Sequence, residues 1–319
     1  MPSGTEIREP EPHHHFTHFF LLCPASAEVM AKSMNRTEGL RVQQSSMKIN
    51  GQRIAYLDVD SRSGRENARP MVFVHGNSSS AKTWLPVLKG DIGRRFRCLA
   101  VDLPGHGQSE PARNHADYSL PGHAAVLTGF ADHLGVTDAV FVGWSLGGQI
   151  VLEAAPELPE AGGFVLSGAP PVATPAQMAE AFLPNPAMGA LFSEHVSGDE
   201  AELAAASFTA PGSTLALDEI IADILATDGA ARAGLGVSAG AGRFADELAI
   251  VAALRQPMAV LHGVEEQLVS LDYLRRLDFP ALWRGEVQVI PDAGHTPHLE
   301  APEAFAALLA DFMADLADA

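Results

Sequence analysis

Cysteine is nearly absent from this 319-residue chain: only Cys23 and Cys98 occur. Two distant cysteines make no disulfide framework and no thiolate metal site, so a reducing compartment is the expected setting. There is no HExxH signature and no Asp-rich constellation, so no metal or other cofactor is expected. No apolar run reaches the ~18–20 residues of a membrane span. The nearest to a leader, Phe19–Leu22, is too short for a signal core. It follows His13–His15 and His18 rather than lysine or arginine, so the expected location is the cytoplasm. Basic residues are also scarce, 21 Lys and Arg against 39 Asp and Glu, a formal charge of −18. Such a chain repels a phosphate backbone, which excludes nucleic acid as an expected partner. Charged residues are only 19% and apolar residues 47%, which excludes a disordered chain.

What is present is organised unevenly. Residues 1–45 are rich in Pro, Ser, His and Glu without a sustained period, and read as a disordered or poorly packed extension. Its histidines could hold a metal, but a solvated tail is the plainer reading. From Met47, two alternating segments flank Asn50-Gly51, a hairpin signal. Short β-rich apolar runs then recur at 71–74, 98–101, 139–142, 164–166, 258–261 and 287–290. Buried parallel strands look like this. Helical patterns at 120–134, 146–155, 271–277 and 302–316 lie between or after them. The expectation is an α/β fold, a mostly parallel sheet flanked by helices, with an antiparallel hairpin at its start.

One gap interrupts the alternation. Some 90 residues between Leu166 and Met258 show no strand, only Ala-rich helical pieces at 175–182, 200–207 and 217–226. A structureless loop of that length is implausible in a compact domain. The expected organisation is therefore a core of residues 46–169 and 251–319 with a helical cap, 170–250, inserted in it. The cap holds 11 acidic and 2 basic residues, half of the net charge. An acidic lid disfavours anionic substrates and tolerates neutral ones.

The densest chemical information is Val140-Phe-Val-Gly-Trp-Ser-Leu-Gly-Gly148, a G-x-S-x-G turn between an apolar run and a helical one. Gly143 and Gly147 lack the side chains that so tight a turn excludes. Ser145 would stand at the carboxyl edge of the sheet as nucleophile, with the N–H of Leu146 at a helix start facing any oxyanion. A serine hydroxyl needs a base. Among thirteen histidines, His295 in Asp292-Ala-Gly-His-Thr-Pro297 follows the last strand and reaches the same edge; His298 would face elsewhere. The loop after the 258–261 strand offers Glu265 and Glu266 as the orienting acid, with Asp272 further on. The loop His75–Ser80 offers the second oxyanion donor, the N–H of Asn77, beside Gly76, which lets the backbone approach substrate. The Asn77 side chain could hydrogen-bond substrate too. Trp144 and Trp84 could line an acyl pocket or pack the core. Asp102–Ser109 reads as a fixed structural loop containing His106.

These residues carry a resemblance. The chain from about Met47 onward resembles the α/β-hydrolase superfamily, and within it the metal-independent N-acyl-homoserine lactonases that quench quorum sensing. The resemblance rests on HGNSSS at 75–80, DLPGHGQS at 102–109, FVGWSLGGQI at 141–150 and SGAPPVA at 167–173. ATDGAAR at 226–232, LWRG at 282–285 and AGHTPHLEAP at 293–302 complete it. It implies an α/β-hydrolase fold and a Ser145–His295–Glu266 set, with Glu266 where the superfamily usually has Asp. It implies a small-molecule acyl ester or lactone as substrate. It also implies a cap tyrosine, and none occurs between 170 and 250. A carboxylesterase or a C–C bond hydrolase would share the same residues. A non-catalytic ligand receptor could reuse the pocket.

Overall fold

The Asn50-Gly51 pair turns the chain as expected. Both residues have positive φ (49° and 79°), and Ile49 pairs directly with Gln52. That is the two-residue hairpin that matches the right-handed twist of its strands. The computed structural model describes residues 40–61 and 68–318. The expectations for residues 1–39, including the histidine cluster and the Phe19–Leu22 run, lie outside the described residues.

Eight strands form one sheet in the order β1-β2-β4-β3-β5-β6-β7-β8. They are β1 Leu40–Ile49, β2 Gln52–Ser61, β3 Met71–Val74, β4 Cys98–Val101, β5 Val140–Trp144, β6 Gly163–Ser167, β7 Met258–Gly263 and β8 Gln288–Ile290. The β1–β2 and β2–β4 pairs are antiparallel, and all others are parallel. Strands β3 to β7 are buried along their whole length, which is why each reads as an unbroken apolar run.

The helices are α1 Leu85–Leu88, α2 Asp91–Arg95, α3 Leu120–Leu134, α4 Leu146–Ala154, α5 Pro175–Ala181, α6 Gly198–Ser207, α7 Asp218–Ala226, α8 Gly229–Gly240, α9 Glu247–Ala253, α10 Leu271–Arg276, α11 Pro297–Glu300 and α12 Pro302–Ala317. Two groups flank the sheet: α3, α4 and α9 pack together, and α12 packs on α1 and α2. No helix among the described residues is long and apolar enough to cross a membrane.

Two boundaries differ from expectation. Strand β1 begins at Leu40, so residues 40–45, assigned to the extension, are paired to β2. Residues 41–44 are exposed on both faces, leaving no alternation to read there, and their place is set by backbone pairing to β2; the alternation begins only at 45–49. At the other end, α9 packs on α4, so the last residues assigned to the cap side with the core. Between β6 and α9, four helices and the 3₁₀ segment Pro186–Phe192 form the inserted helical region.

Candidate active site

Strand β5 ends at Trp144 and α4 begins at Leu146, so Ser145 must reverse the chain alone. It does so at φ 54°, ψ −122°, conformations a side chain rarely adopts. Its N–H is held by the Ser167 carbonyl (2.8 Å), and its own carbonyl accepts from the Gly148 and Gln149 N–H groups (2.9 and 3.3 Å). A side chain at Gly143 would overlap the Gly147 carbonyl, and one at Gly147 the Val74 carbonyl. The expected need for both glycines is thus a matter of space.

Facing Ser145 is the loop after β8. His295 is buried, and its Nδ1 donates to Glu266 Oε2 at 2.7 Å, both side chains being 2% exposed. Glu266 Oε1 accepts from the Leu268 N–H at 2.7 Å. Burial alone would raise the Glu266 carboxyl. The His295 ring, their hydrogen bond and the Leu268 amide outweigh it, leaving Glu266 below the usual carboxylate value. A carboxylate on Nδ1 sets the tautomer: Nε2 is left free to take a proton. Glu265 and Asp272 are exposed and hold nothing at this site. Ser145 and His295 open onto the same cavity without a hydrogen bond between them; such contacts often tighten only around substrate.

The N–H groups of Asn77 and Leu146 donate to no acceptor among the described residues, so both are free to meet an oxyanion. Asn77 also lines the cavity, but its side chain is engaged. Nδ2 donates to the Leu191 carbonyl at 2.6 Å, and Oδ1 accepts from Ser78. The Asn77 amide group therefore ties the oxyanion loop to the helical insert rather than waiting for substrate. Gly76 has no place in the cavity wall. A Cβ there would come within 2.9 Å of the Trp144 ring, so its role is to let that ring pass.

Trp144 requires a correction. It does not line the cavity. It is buried behind His295, its Nε1 donates to the His295 carbonyl at 2.6 Å, and its ring meets Phe208 edge-on (centroids 5.7 Å). A buried indole seeks an acceptor for its N–H, and the catalytic-side loop supplies it. Trp84 is core too, its ring tilted against that of His298 (centroids 4.5 Å). His298 faces away, as expected, and bonds Thr83.

The loop Asp102–Ser109 is structural, as read. Asp102 accepts from the Ala81 and Gln108 N–H groups. Its neighbour His75 accepts the Leu103 N–H on Nε2, so Nδ1 carries the proton and donates to the Gly76 carbonyl at 2.7 Å. Burial pushes His75 down to about 4 and His106 to about 3, keeping both neutral.

Several supporting residues escaped the sequence reading. Glu300 Oε2 accepts from Gly294 N–H and Thr296 Oγ1, and its Oε1 from Ala210 N–H, bracing the His295 loop against the insert. Arg232, 4% exposed, donates to four backbone carbonyls, those of Ser193, Glu194, Ile224 and Thr227. Gln149, one turn beyond Ser145, enters the cavity wall. The E-A-P after His298 and the scarcity of arginine in the insert, which has only Arg232 and Arg243, were the available signals for the first two.

The cavity has a volume of about 530 Å³. Its walls are chiefly apolar, including Met178, Phe182, Met188, Leu191, Phe192 and Phe208, and contain no Asp, Glu, Lys or Arg. None of the three tyrosines lines it. A strained serine, a buried histidine–glutamate pair and two free N–H groups beside an apolar pocket suit acyl transfer from a neutral substrate.

The model of the alpha/beta hydrolase family matches residues 71–308. The chain belongs to this family. A solved structure of an N-acyl homoserine lactonase AidH mutant, complexed with N-hexanoyl homoserine lactone, is 36% identical. The match covers 86% of this chain and 98% of that one, with a TM-score of 0.80. The esterase RhEst1 from Rhodococcus sp. ECU1013 is 23% identical over 86% of this chain and 99% of that one (TM-score 0.71), a likeness of fold. Among curated proteins, the hydrolase YugF of Bacillus subtilis is 41% identical over 93 residues. That match spans 28% of this chain and about a third (32%) of YugF.

Proposed function

We propose that this hydrolase opens the ring of N-acyl-homoserine lactones through a serine acyl-enzyme. The observation that carries the reading is the His295–Glu266 pair set beside Ser145 in a cavity that is apolar and free of fixed charge. The likeness to AidH, at 36% identity across nearly all of that chain, supports the lactone as substrate.

His295 Nε2 takes the Ser145 proton as Oγ attacks the lactone carbonyl. The Asn77 and Leu146 N–H groups receive the oxyanion, each worth roughly 3–4 kcal/mol in the transition state. The ring C–O bond breaks, and His295 passes its proton to the leaving alkoxide, which stays tethered in the acyl-enzyme. His295 then takes a proton from water, hydroxide attacks the ester, and Oγ leaves with that proton. The product is the N-acyl-homoserine, and no other reactant is consumed. Glu266 holds the imidazole tautomer throughout and faces the imidazolium when it forms. In a bacterial cytoplasm this reaction would silence the acyl-lactone signal.

The deciding experiment is pH-stat titration of lactone opening. Ser145→Ala should abolish acid release while near-UV circular dichroism stays that of the parent. Ring opening that persists in that variant, or that a chelator stops, rejects the serine scheme. A simple-ester hydrolase is the second reading, favoured by the lack of a tyrosine in the cavity wall. Higher kcat/KM on p-nitrophenyl esters than on acyl-homoserine lactones would establish it.

A further inference from the structure

Gln149 is not needed by the serine scheme, yet it stands in the reacting end of the cavity. Its backbone N–H lies 3.3 Å from the Ser145 carbonyl, so it sits one turn beyond the nucleophile at the start of α4, and both residues line the cavity. Its orientation is settled by chemistry. Nε2 lies 2.7 Å from the Pro170 carbonyl, which can only accept, so the NH2 group must face Pro170 and the carbonyl oxygen Oε1 must face the other way. No donor among the described residues reaches Oε1, and it is not sealed from solvent. Gln149 therefore presents a fixed, empty acceptor to the cavity.

The other polar side chains of the wall do not duplicate it. Asn77 spends Nδ2 on Leu191 and accepts from Ser78 with Oδ1. Asn185 accepts the Ala187 N–H with Oδ1, which leaves its NH2 as a donor. Outside the reacting Ser145 and His295, Gln149 Oε1 is the uncommitted side-chain acceptor of the cavity wall. In an apolar enclosure, a substrate that displaces water from this oxygen without replacing the hydrogen bond leaves it unpaired.

We infer that Gln149 accepts the amide N–H of the substrate and so selects N-acyl lactones over lactones and esters lacking that donor. The inference rests on the lactonase reading above. In such a substrate, the N–H sits on the carbon bonded to the one Ser145 attacks, so its acceptor must lie within about one turn of the nucleophile. Gln149 is a positioning residue: it fixes which face of the lactone meets Oγ and takes no part in proton transfer.

The test compares kcat/KM for ring opening of N-hexanoyl-homoserine lactone with that of the analogue in which CH2 replaces the N–H. The wild-type protein should favour the N–H compound roughly tenfold, the discrimination one neutral hydrogen bond supports. In Gln149→Met, which keeps length and volume, that ratio should collapse toward one. A structural role, through loss of the Pro170 bond, would lower both substrates alike and leave the ratio where it was; that result overturns the assignment. A wild-type ratio near one overturns it without any variant. A wild-type protein idle on both lactones but active on simple esters overturns the lactonase reading instead, and this assignment with it.

Discussion

Replacing Glu266 by glutamine changes almost no volume and tests the geometry directly. In the native site both carboxylate oxygens accept, one from His295 Nδ1 and one from the Leu268 N–H, each at 2.7 Å. Glutamine has a single acceptor oxygen, and two incompatible choices follow. If that oxygen keeps Leu268, the NH2 faces Nδ1 and forces the proton onto Nε2, where it blocks the uptake of the Ser145 proton. If the oxygen turns to His295, the NH2 is driven against the Leu268 N–H, donor to donor, in a site only 2% exposed. The amide replacement at the acid of a comparable Ser-His-Asp site lowers turnover roughly 10⁴-fold. A loss of 10³–10⁴ in kcat, about 4–5.5 kcal/mol, is expected here. Pre-steady-state acylation by a p-nitrophenyl ester reads it, with the burst rate falling and its amplitude preserved. Stability supplies a second readout. Because Glu266 sits below its ordinary value, its contribution is fully present above about pH 4.5 and is lost as pH falls through the lowered value. Melting temperatures of wild type and Glu266→Gln should therefore differ at neutral pH and converge in acid. A glutamine variant that acylates within tenfold of wild type refutes the assigned acid.

Other outcomes follow from the same contacts. Trp144→Phe keeps the ring but loses the 2.6 Å bond to the His295 carbonyl; kcat should fall several-fold with KM held, whereas a shift in KM alone would restore Trp144 as a pocket wall. Arg232→Met strips the donor from four backbone carbonyls, those of Ile224 and Thr227 in buried contacts; urea titration should show a loss of about 3 kcal/mol, with early proteolytic cleavage in 186–227. No change in either measurement would refute that role. Glu247 is fully buried with Oε1 unpartnered, and burial holds its carboxyl well above the usual range. The protonated form is the one the fold accepts, so the stability it allows is present below about pH 4.5 and declines as pH rises through the raised value. Glu247→Gln should then gain on wild type in thermal melts between pH 5 and pH 8, on the order of 1 kcal/mol; a constant difference would refute it.

How far the sequence could be read depended on where each residue finds its partner. Helix α3 was legible to the residue because its signals are local: Ser119 caps it through the Gly122 N–H, and Gly135 closes it at φ 63°. Strands β3 to β7 announced themselves through complete burial, and the elbow through two glycines that no side chain could replace. Helix α8 did not, since Gly229, Gly234, Gly236 and Gly240 weaken any helical signal and its place is fixed by packing and by Arg232. The same rule sorts the site. Ser145 and His295 declare themselves through neighbours in the chain, Glu266 through its loop. Trp144 and Gln149 sit beside the nucleophile in sequence, yet their roles are set by His295, 151 positions on, and Pro170, 21 positions on.

A motif tells which side chains surround a reacting atom but not which way their polar ends point. Here those directions decide function. The indole N–H turned outward from the cavity makes Trp144 a support for the base. The amide oxygen left over by Pro170 makes Gln149 an acceptor for substrate. Had the Gln149 amide bonded Pro170 through a water, either end could face the ligand and no selectivity for an N–H would follow. The direct 2.7 Å contact removes that freedom, and the proposed selectivity for a substrate N–H follows from one carbonyl's inability to donate.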